Sequence, residues 1–323
     1  MEKIIDPVPR ELLLGELTPD RLLRKTNKAG NELYVVTGSN APNVMREIGR
    51  LREIAFRKGG GGTGNALDVD FFDTDPAYGY RQLVLWNPDA QEIIGGYRFV
   101  LCDNILFDRN GQPKITSSHM FHYSSYFIKN ILPQSVELGR SFVAAEYQSS
   151  SAGAKSIFAL DNLFDGIGAI MMLYKGRMKY LIGKMTIYPD YPAEARNMIL
   201  FFLRKYFGNR KRWAVPELKV QPPSRGRFAR LFSTGSYRED YKVLSKSVRN
   251  MGVNIPPLVN SYMNLSSSMV YFGTGINDEF ADVLDSGIMI KFEDIYPEKR
   301  VRHLDSLMNT GWDRRRPALA ASL

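Results

Sequence analysis

Apolar positions recur along the chain with two periods. Val44, Ile48, Leu51 and Ala55 lie three and four apart behind Pro42, with Arg46, Arg50 and Glu53 elsewhere on the surface, so the spacing predicts a helix over about 43–57. Ile157, Leu160, Phe164, Ile167 and Met171 predict a buried helix over about 154–174. Ala195, Met198, Phe202 and Tyr206 predict an amphipathic helix over about 193–207. Between these run short stretches with strand character: 32–37, 81–87, 92–102, 136–147 and 180–188. Asn87-Pro88-Asp89 joins the second to the third as a hairpin turn, and the glycine run 59–62 opens a flexible loop leading to Asp68–Asp73.

Strands alternating with helices in this order imply an α/β fold with a mixed central sheet flanked by helices. The predicted organisation is a core over 1–215, with an N-terminal arm at 1–31, and a basic C-terminal extension over 216–323 packed on that core. Within the extension only Met269–Phe272 and Ile288–Phe292 look like strands. No internal repeat is present.

Composition narrows the class. With 44% hydrophobic and 24% charged residues in 323, the chain is globular, and disorder is excluded as its default. Its single cysteine, Cys102, excludes a disulfide framework and a Cys-rich zinc site, and fits a reducing compartment. No apolar run reaches the ~18 residues of a membrane span, and the opening MEKIIDPVPRELLLGEL lacks a signal-peptide pattern. The expected location is therefore the cytoplasm, or the inner face of the cytoplasmic membrane without crossing it.

The net charge of +9 is regional. Residues 201–250 carry thirteen Lys/Arg and three acids, and the rest of the chain has one more acid than base. Tyr206, Phe207, Trp213, Phe228, Phe232 and Tyr237 are interleaved with these bases. Such a segment suits nucleic acid, lipid headgroups or an acidic protein; it also suits a plain solvated surface.

Several familiar chemistries are excluded. Gly64 is followed by Asn65, and Ala154 separates Gly153 from Lys155, so neither stretch is a phosphate-binding Walker loop. No Gly-x-Ser-x-Gly elbow occurs. His119 and His122 lack companions for a metal site, and no metal is expected. What remains is a set of charges beside apolar elements: Arg52 on the first helix, Asp70 and Asp73 in the loop, Arg98 within a strand, and Glu137 and Arg140 in the predicted central strand. Charges are seldom buried unless paired, so these predict an ion-pair network, either around a site or purely structural. Glu137 and Arg140 are three apart and would face opposite sides of a regular strand. A bulge at Gly139 would bring both to one site and splay the strand.

The motifs Arg52-x-x-x-Phe56, Asp70-x-x-Asp73, Gly-x-Arg98 and Glu137-x-x-Arg140, in this order, resemble the acyl-carrier-protein-dependent branch of the GNAT acyltransferases. That branch holds the acyl-homoserine lactone synthases and the hemolysin-like ornithine-lipid and glycine-lipid N-acyltransferases. The four motifs span about residues 34–205, and Pro256-Pro-Leu258 followed by Tyr262 is similar to the lipid N-acyltransferases in particular. The pyrophosphate loop of coenzyme A-dependent relatives is absent from Gln148–Lys155. The resemblance implies transfer of a (3-hydroxy)fatty acyl group from acyl carrier protein, as co-substrate and without a bound cofactor, to the amine of an amino acid. Glycine is the expected acceptor and aminolipid synthesis the expected setting. The place of Glu137 beside the presumed bulge makes it the expected general base, directly or through a water, with Arg98 and Arg140 pairing the acidic cluster or holding the acceptor's carboxylate. Asp70, Asp73 and Arg52 would order the glycine loop. Phe142, Phe158, Phe164 and Met171 line an acyl tunnel or pack the core. Arg225, Arg227 and Arg230 would dock the acidic carrier, and the basic segment could also meet an anionic membrane. The alternatives are an acyl-homoserine lactone synthase and a nucleic-acid-binding protein using 201–250.

Overall fold

Strand and helix alternate much as the hydrophobic periods require. The structure, a computed structural model, describes residues 1–148, 154–220 and 225–308. In chain order its strands are β1 (Leu22–Lys25), β2 (Glu32–Val36), β3 (Arg81–Asn87), β4 (Glu92–Leu101), β5 (Phe121–Tyr123), β6 (Ser135–Val143), β7 (Tyr180–Ile187), β8 (Ala214–Pro216), β9 (Val270–Asn277) and β10 (Val283–Lys291). Its helices are α1 (Arg10–Glu16), α2 (Pro42–Lys58), α3 (Phe71–Thr74), α4 (Ser125–Asn130), α5 (Ala154–Leu173), α6 (Ala193–Phe207), α7 (Arg225–Leu231), α8 (Tyr237–Asn250), α9 (Pro257–Met263) and α10 (Pro297–Met308). Two compact units result. One comprises Met1–Thr116, Leu132–Lys179 and Pro297–Leu323; the other comprises Ser117–Ile131 and Tyr180–Tyr296.

In the first unit β1, β2, β3, β4 and β6 form consecutive antiparallel ladders. Adjacent residues of a strand face opposite sides, and β3 shows which helix covers which. Gln82 points to the side of α2, where Arg52 binds it. Leu83 points to α5, where a Cβ on Gly166 would come within 2.7 Å of the Leu83 methyl. Helices therefore cover both faces. The arm at 1–31 is more than a tail, because β1 within it is an edge strand of this sheet. On the outer side of α5, His303 of α10 meets Asp165 at 2.7 Å, and Asn27 binds the same carboxylate through its backbone and side-chain N–H groups.

The predicted strand 136–147 ends earlier, at Val143, and Ala145–Tyr147 form a short 3-10 turn. Its bulge is present but displaced by one residue from Gly139. Gly139 pairs with Arg98 and Phe142 with Gly96, so Arg140 and Ser141 together oppose Tyr97 alone. Arg140 takes the left-handed backbone, at φ 47°.

In the second unit β10 pairs with β7 from Leu284–Ile187 to Lys291–Tyr180, and with β9 on its other edge. The chain is not divided at 216. The segment expected to lie as an extension on a finished core instead supplies two strands to the sheet that contains β7. β10 is buried over most of its length, and a strand buried on both faces lacks the alternation that reveals an amphipathic strand. α8 also escaped the hydrophobic pattern, since one of its three buried positions, Asp240, Leu244 and Val248, is a carboxylate.

Candidate active site

The charges read from the sequence meet on the α2 side of the first unit's sheet. α2 carries Arg52 inward and fully buries it. Its Nη1 lies 3.2 Å from both carboxylate oxygens of Asp73, and its Nη2 donates to Gln82 Oε1 at 2.5 Å. Gln82 in turn donates to Asp73 at 2.8 Å. Arg98 of β4 reaches Asp70 at 2.6 Å and Asp73 at 3.0 Å through one nitrogen. Arg140 Nε lies 3.1 Å from Asp68, and its Nη2 lies 3.9 Å from Asp70. Asp70 thus touches both Arg98 and Arg140, so the bulge does bring Arg140 to the same side.

The loop can sit this close because glycines face it. A Cβ on Gly38 would lie 2.3 Å from the Asp73 carbonyl oxygen, and one on Gly49 2.5 Å from Val69. The Gly49 carbonyl instead accepts the Asp68 N–H at 3.0 Å. Asp70 and Asp73 also cap α3 reciprocally, each side chain accepting the other's backbone N–H at 3.2 Å.

Burial and pairing act on these groups in opposite senses. Burial raises the Asp73 carboxyl, but Arg52, Arg98 and hydrogen bonds outweigh it and hold the group below the usual carboxylate range. Burial dominates at Asp68 and pushes it up despite Arg140, Arg52 and Arg98. At Arg98 burial is overcome by Asp73 and Asp70, which hold the guanidinium firmly charged.

Glu137 stands two residues before Gly139 on β6 and is buried. Its Oε2 accepts from the Tyr80 hydroxyl, from Thr116 N–H at 3.2 Å and from Thr116 Oγ1 at 3.0 Å. The Thr116 N–H also donates to the Tyr80 oxygen at 2.9 Å. Burial first, then the Glu137 charge, raise the Tyr80 hydroxyl well above its ordinary range, so it stays a donor. The Tyr80 ring joins the two clusters, with the Arg98 guanidinium 5.5 Å from its centroid and Phe72 edge-on at 5.2 Å. Sequence reading missed Asp68, Tyr80, Gln82 and Thr116 as site residues. Gln82 carried a weak signal, as a polar residue next to the apolar run 83–86, and Asp68 shared the acidic string; Tyr80 and Thr116 carried none.

Other expected residues fall elsewhere. The glycine loop is ordered by Glu53 rather than by Arg52, Asp70 and Asp73: the Glu53 carboxylate accepts Thr63 N–H at 3.1 Å and Gly64 N–H at 2.8 Å while pairing with Arg57 at 2.7 Å. Phe142 and Met171 are buried, Lys28 lies over the Phe158 ring at 5.3 Å, and Phe164 packs against His303 at 5.9 Å. In the second unit Arg227 pairs with Glu194 at 2.8 Å. Arg227 and Arg230 line a cleft of about 690 Å³ with Met198, Leu231, Asn250 and Met251. The Arg225 side chain and residues 149–153, within the stretch where a pyrophosphate loop would fall, lie outside the described residues.

The sequence model of the acetyltransferase (GNAT) domain matches residues 51–156, from the second half of α2 to the start of α5. The chain is 52% identical over 311 residues to a protein of Bacteroides thetaiotaomicron named glycine N(alpha)-acyltransferase, covering 96% of this chain and 92% of that one. It is 51% identical over 312 residues to a protein of the same name from Phocaeicola vulgatus, covering 95% and 94%. With half its residues identical over nearly the whole of both relatives, and its ion-pair cluster inside the matched domain, the chain belongs to their family and is an N-acyltransferase of the GNAT superfamily.

Proposed function

We propose that this enzyme moves a 3-hydroxylated fatty acyl group from the thioester of acyl carrier protein to the amine of glycine, as a step in aminolipid synthesis. The observation that carries the acceptor is the near-full-length identity to two proteins named glycine N(alpha)-acyltransferase. In the reaction the amine nitrogen bonds to the thioester carbonyl carbon and the C–S bond breaks. An acceptor arriving as an ammonium loses one proton to solvent before attack and a second as the amide forms. We assign the second proton to Glu137, directly or through one water, from which it passes to the departing thiol. The position of Glu137 on β6, two residues before Gly139 and beside the bulge, motivates this role.

Arg98 is committed to Asp70 and Asp73. Arg140, with 20% of its side chain exposed, is the cluster's most accessible guanidinium, and we assign it to the acceptor's carboxylate. We assign the oxyanion to backbone N–H groups at the bulge, where Arg140 and Ser141 together oppose Tyr97. Cys102 is a poor acyl relay: it is buried, and burial together with the Glu137 charge holds its thiol well above the usual range. This favours direct transfer.

The cleft flanked by Arg227 and Arg230 is suited to an acidic carrier protein. No helix among the described residues is long and apolar enough to cross a membrane. We place the enzyme in the cytoplasm, at the inner face of the cytoplasmic membrane.

The test is reconstitution of the purified chain with glycine and either 3-hydroxyacyl carrier protein or 3-hydroxyacyl coenzyme A, with products identified by mass spectrometry. N-acylglycine formed chiefly from the carrier donor is expected. Equal turnover of coenzyme A would remove the carrier. Product from ornithine but not from glycine would replace the acceptor.

A further inference from the structure

The basic segment carries a second surface, made of residues other than those lining the Arg227–Arg230 cleft. Within the second unit, α4 presents Tyr126 with 57% of its surface exposed. Its ring lies nearly parallel to that of Trp213, at 8° and 6.4 Å between centroids. Lys211 stands 5.0 Å from the Trp213 centroid. Lys129, three residues after Tyr126 and so on the same helical face, is exposed, as are Arg210, Lys211 and Arg212.

The display is built rather than frayed. Asn209 clamps the turn, accepting the Trp213 N–H at 3.1 Å and donating to the Ala214 carbonyl at 2.9 Å. Arg212 takes a left-handed φ of 51° within it. The Trp213 carbonyl accepts the Ser124 N–H at 2.9 Å, which locks the turn to the start of α4. Five residues on, Leu218 accepts the Ile276 N–H at 3.0 Å, and both side chains are exposed, at 53% and 39%. Residues 121–131 contain no acid and residues 208–220 only Glu217, which faces His122 at 3.8 Å.

We propose that this face binds the surface of an anionic phospholipid bilayer. A Trp–Tyr pair has an apolar body and a polar edge, the combination that settles at headgroup depth. Lysines and arginines beside it meet lipid phosphates while their stems lie along apolar surface. Exposed aliphatic side chains near the same strand favour a bilayer over a nucleic acid, whose backbone offers them nothing. The proposal rests on the placement at the inner membrane face proposed above, and not on the acyl-transfer chemistry. Vesicle binding is measured without acyl substrate, so either can fail alone.

The test is flotation of the full chain with vesicles of phosphatidylglycerol and phosphatidylcholine, against phosphatidylcholine alone. Binding to the anionic vesicles only is expected. Lys129→Glu/Lys211→Glu/Arg212→Glu should weaken it about a hundredfold, and Tyr126→Ser/Trp213→Ser about tenfold. Both should keep acyl transfer to glycine in solution, and Arg227→Glu/Arg230→Glu should float like the parent. The charge variant alters only exposed side chains, so it tests the proposal even if loss of the aromatic pair disturbs folding. Parent protein that stays unbound, a charge variant that floats as well as the parent, or binding of a generic oligonucleotide in place of vesicles would overturn it.

Discussion

Arg52 is fully buried and holds Asp73 and Gln82, while Arg98 brings Asp70 to the same carboxylate. Removing one member of such a group strands the others without water, so their value lies in completeness. Glu137 is the member we expect to do chemistry. Glu137→Gln keeps the size and most hydrogen bonds but cannot take a proton, so transfer should fall about a hundredfold or more. Circular dichroism should remain unchanged, and retention of most activity would refute the assignment. Tyr80 is a positioning residue. Because Thr116 N–H donates to its oxygen, its own proton must point at Glu137. Tyr80→Phe should therefore lower kcat about tenfold with little change in the KM for glycine; a purely structural role would instead lower stability and move both parameters together. Arg98, Glu137 and Arg140 were legible because charges interrupt apolar strands. Tyr80 was not, since a tyrosine beside an apolar strand reads as ordinary core.

At the level of elements, the acidic loop and the β6 bulge decide the geometry. The loop lies against Gly38 and Gly49, where added methyl groups would strike a backbone oxygen and a valine. Gly38→Ala should destabilise the first unit by about 1–3 kcal/mol and shift the loop that holds Asp73. Gly15→Ala, in α1 with open space around it, serves as the neutral or slightly stabilising control in urea titrations. Equal midpoints for the two variants would show that the loop can yield. The bulge illustrates the reach of sequence reasoning. That Glu137 and Arg140 need an irregular strand follows from their spacing alone. That Arg140, rather than Gly139, adopts the left-handed backbone depends on the register with β4, which local preference does not set.

Across the whole molecule the charge is used in separate ways. Asp240 is an internal clamp of the second unit. Burial raises its carboxyl, but hydrogen bonds from Lys205, Tyr206 and Thr234 outweigh that and leave it at about 2. An unfolded carboxylate titrates near ~3.9, so the folded value is depressed. The stabilisation is then complete above about pH 4 and is lost as the pH falls toward 2. Thermal unfolding should drop over that window by about 1–2 kcal/mol more in the parent than in Asp240→Asn, allowing for the partial exposure of Lys205. Arg227 and Arg230, which we assign to the carrier protein, are exposed, and Arg225 precedes them on α7. Reversing them to Glu should cut kcat/KM for the carrier-bound donor about tenfold or more and spare a small acyl-pantetheine thioester; equal loss with both donors would argue against docking.

By itself the sequence determined the three long helices and five of the seven strands of the first 207 residues, and the regional basic charge. Periodicity, composition and short motifs are local properties, and these conclusions need nothing else. Only the tertiary structure decided that Asp68, Tyr80, Gln82 and Thr116 join the site. Only it showed that Glu53 orders the glycine loop, and that β9 and β10 complete the sheet containing β7. Those outcomes depend on which strands pair and in what register, and such pairing is a choice among distant segments that no local pattern records.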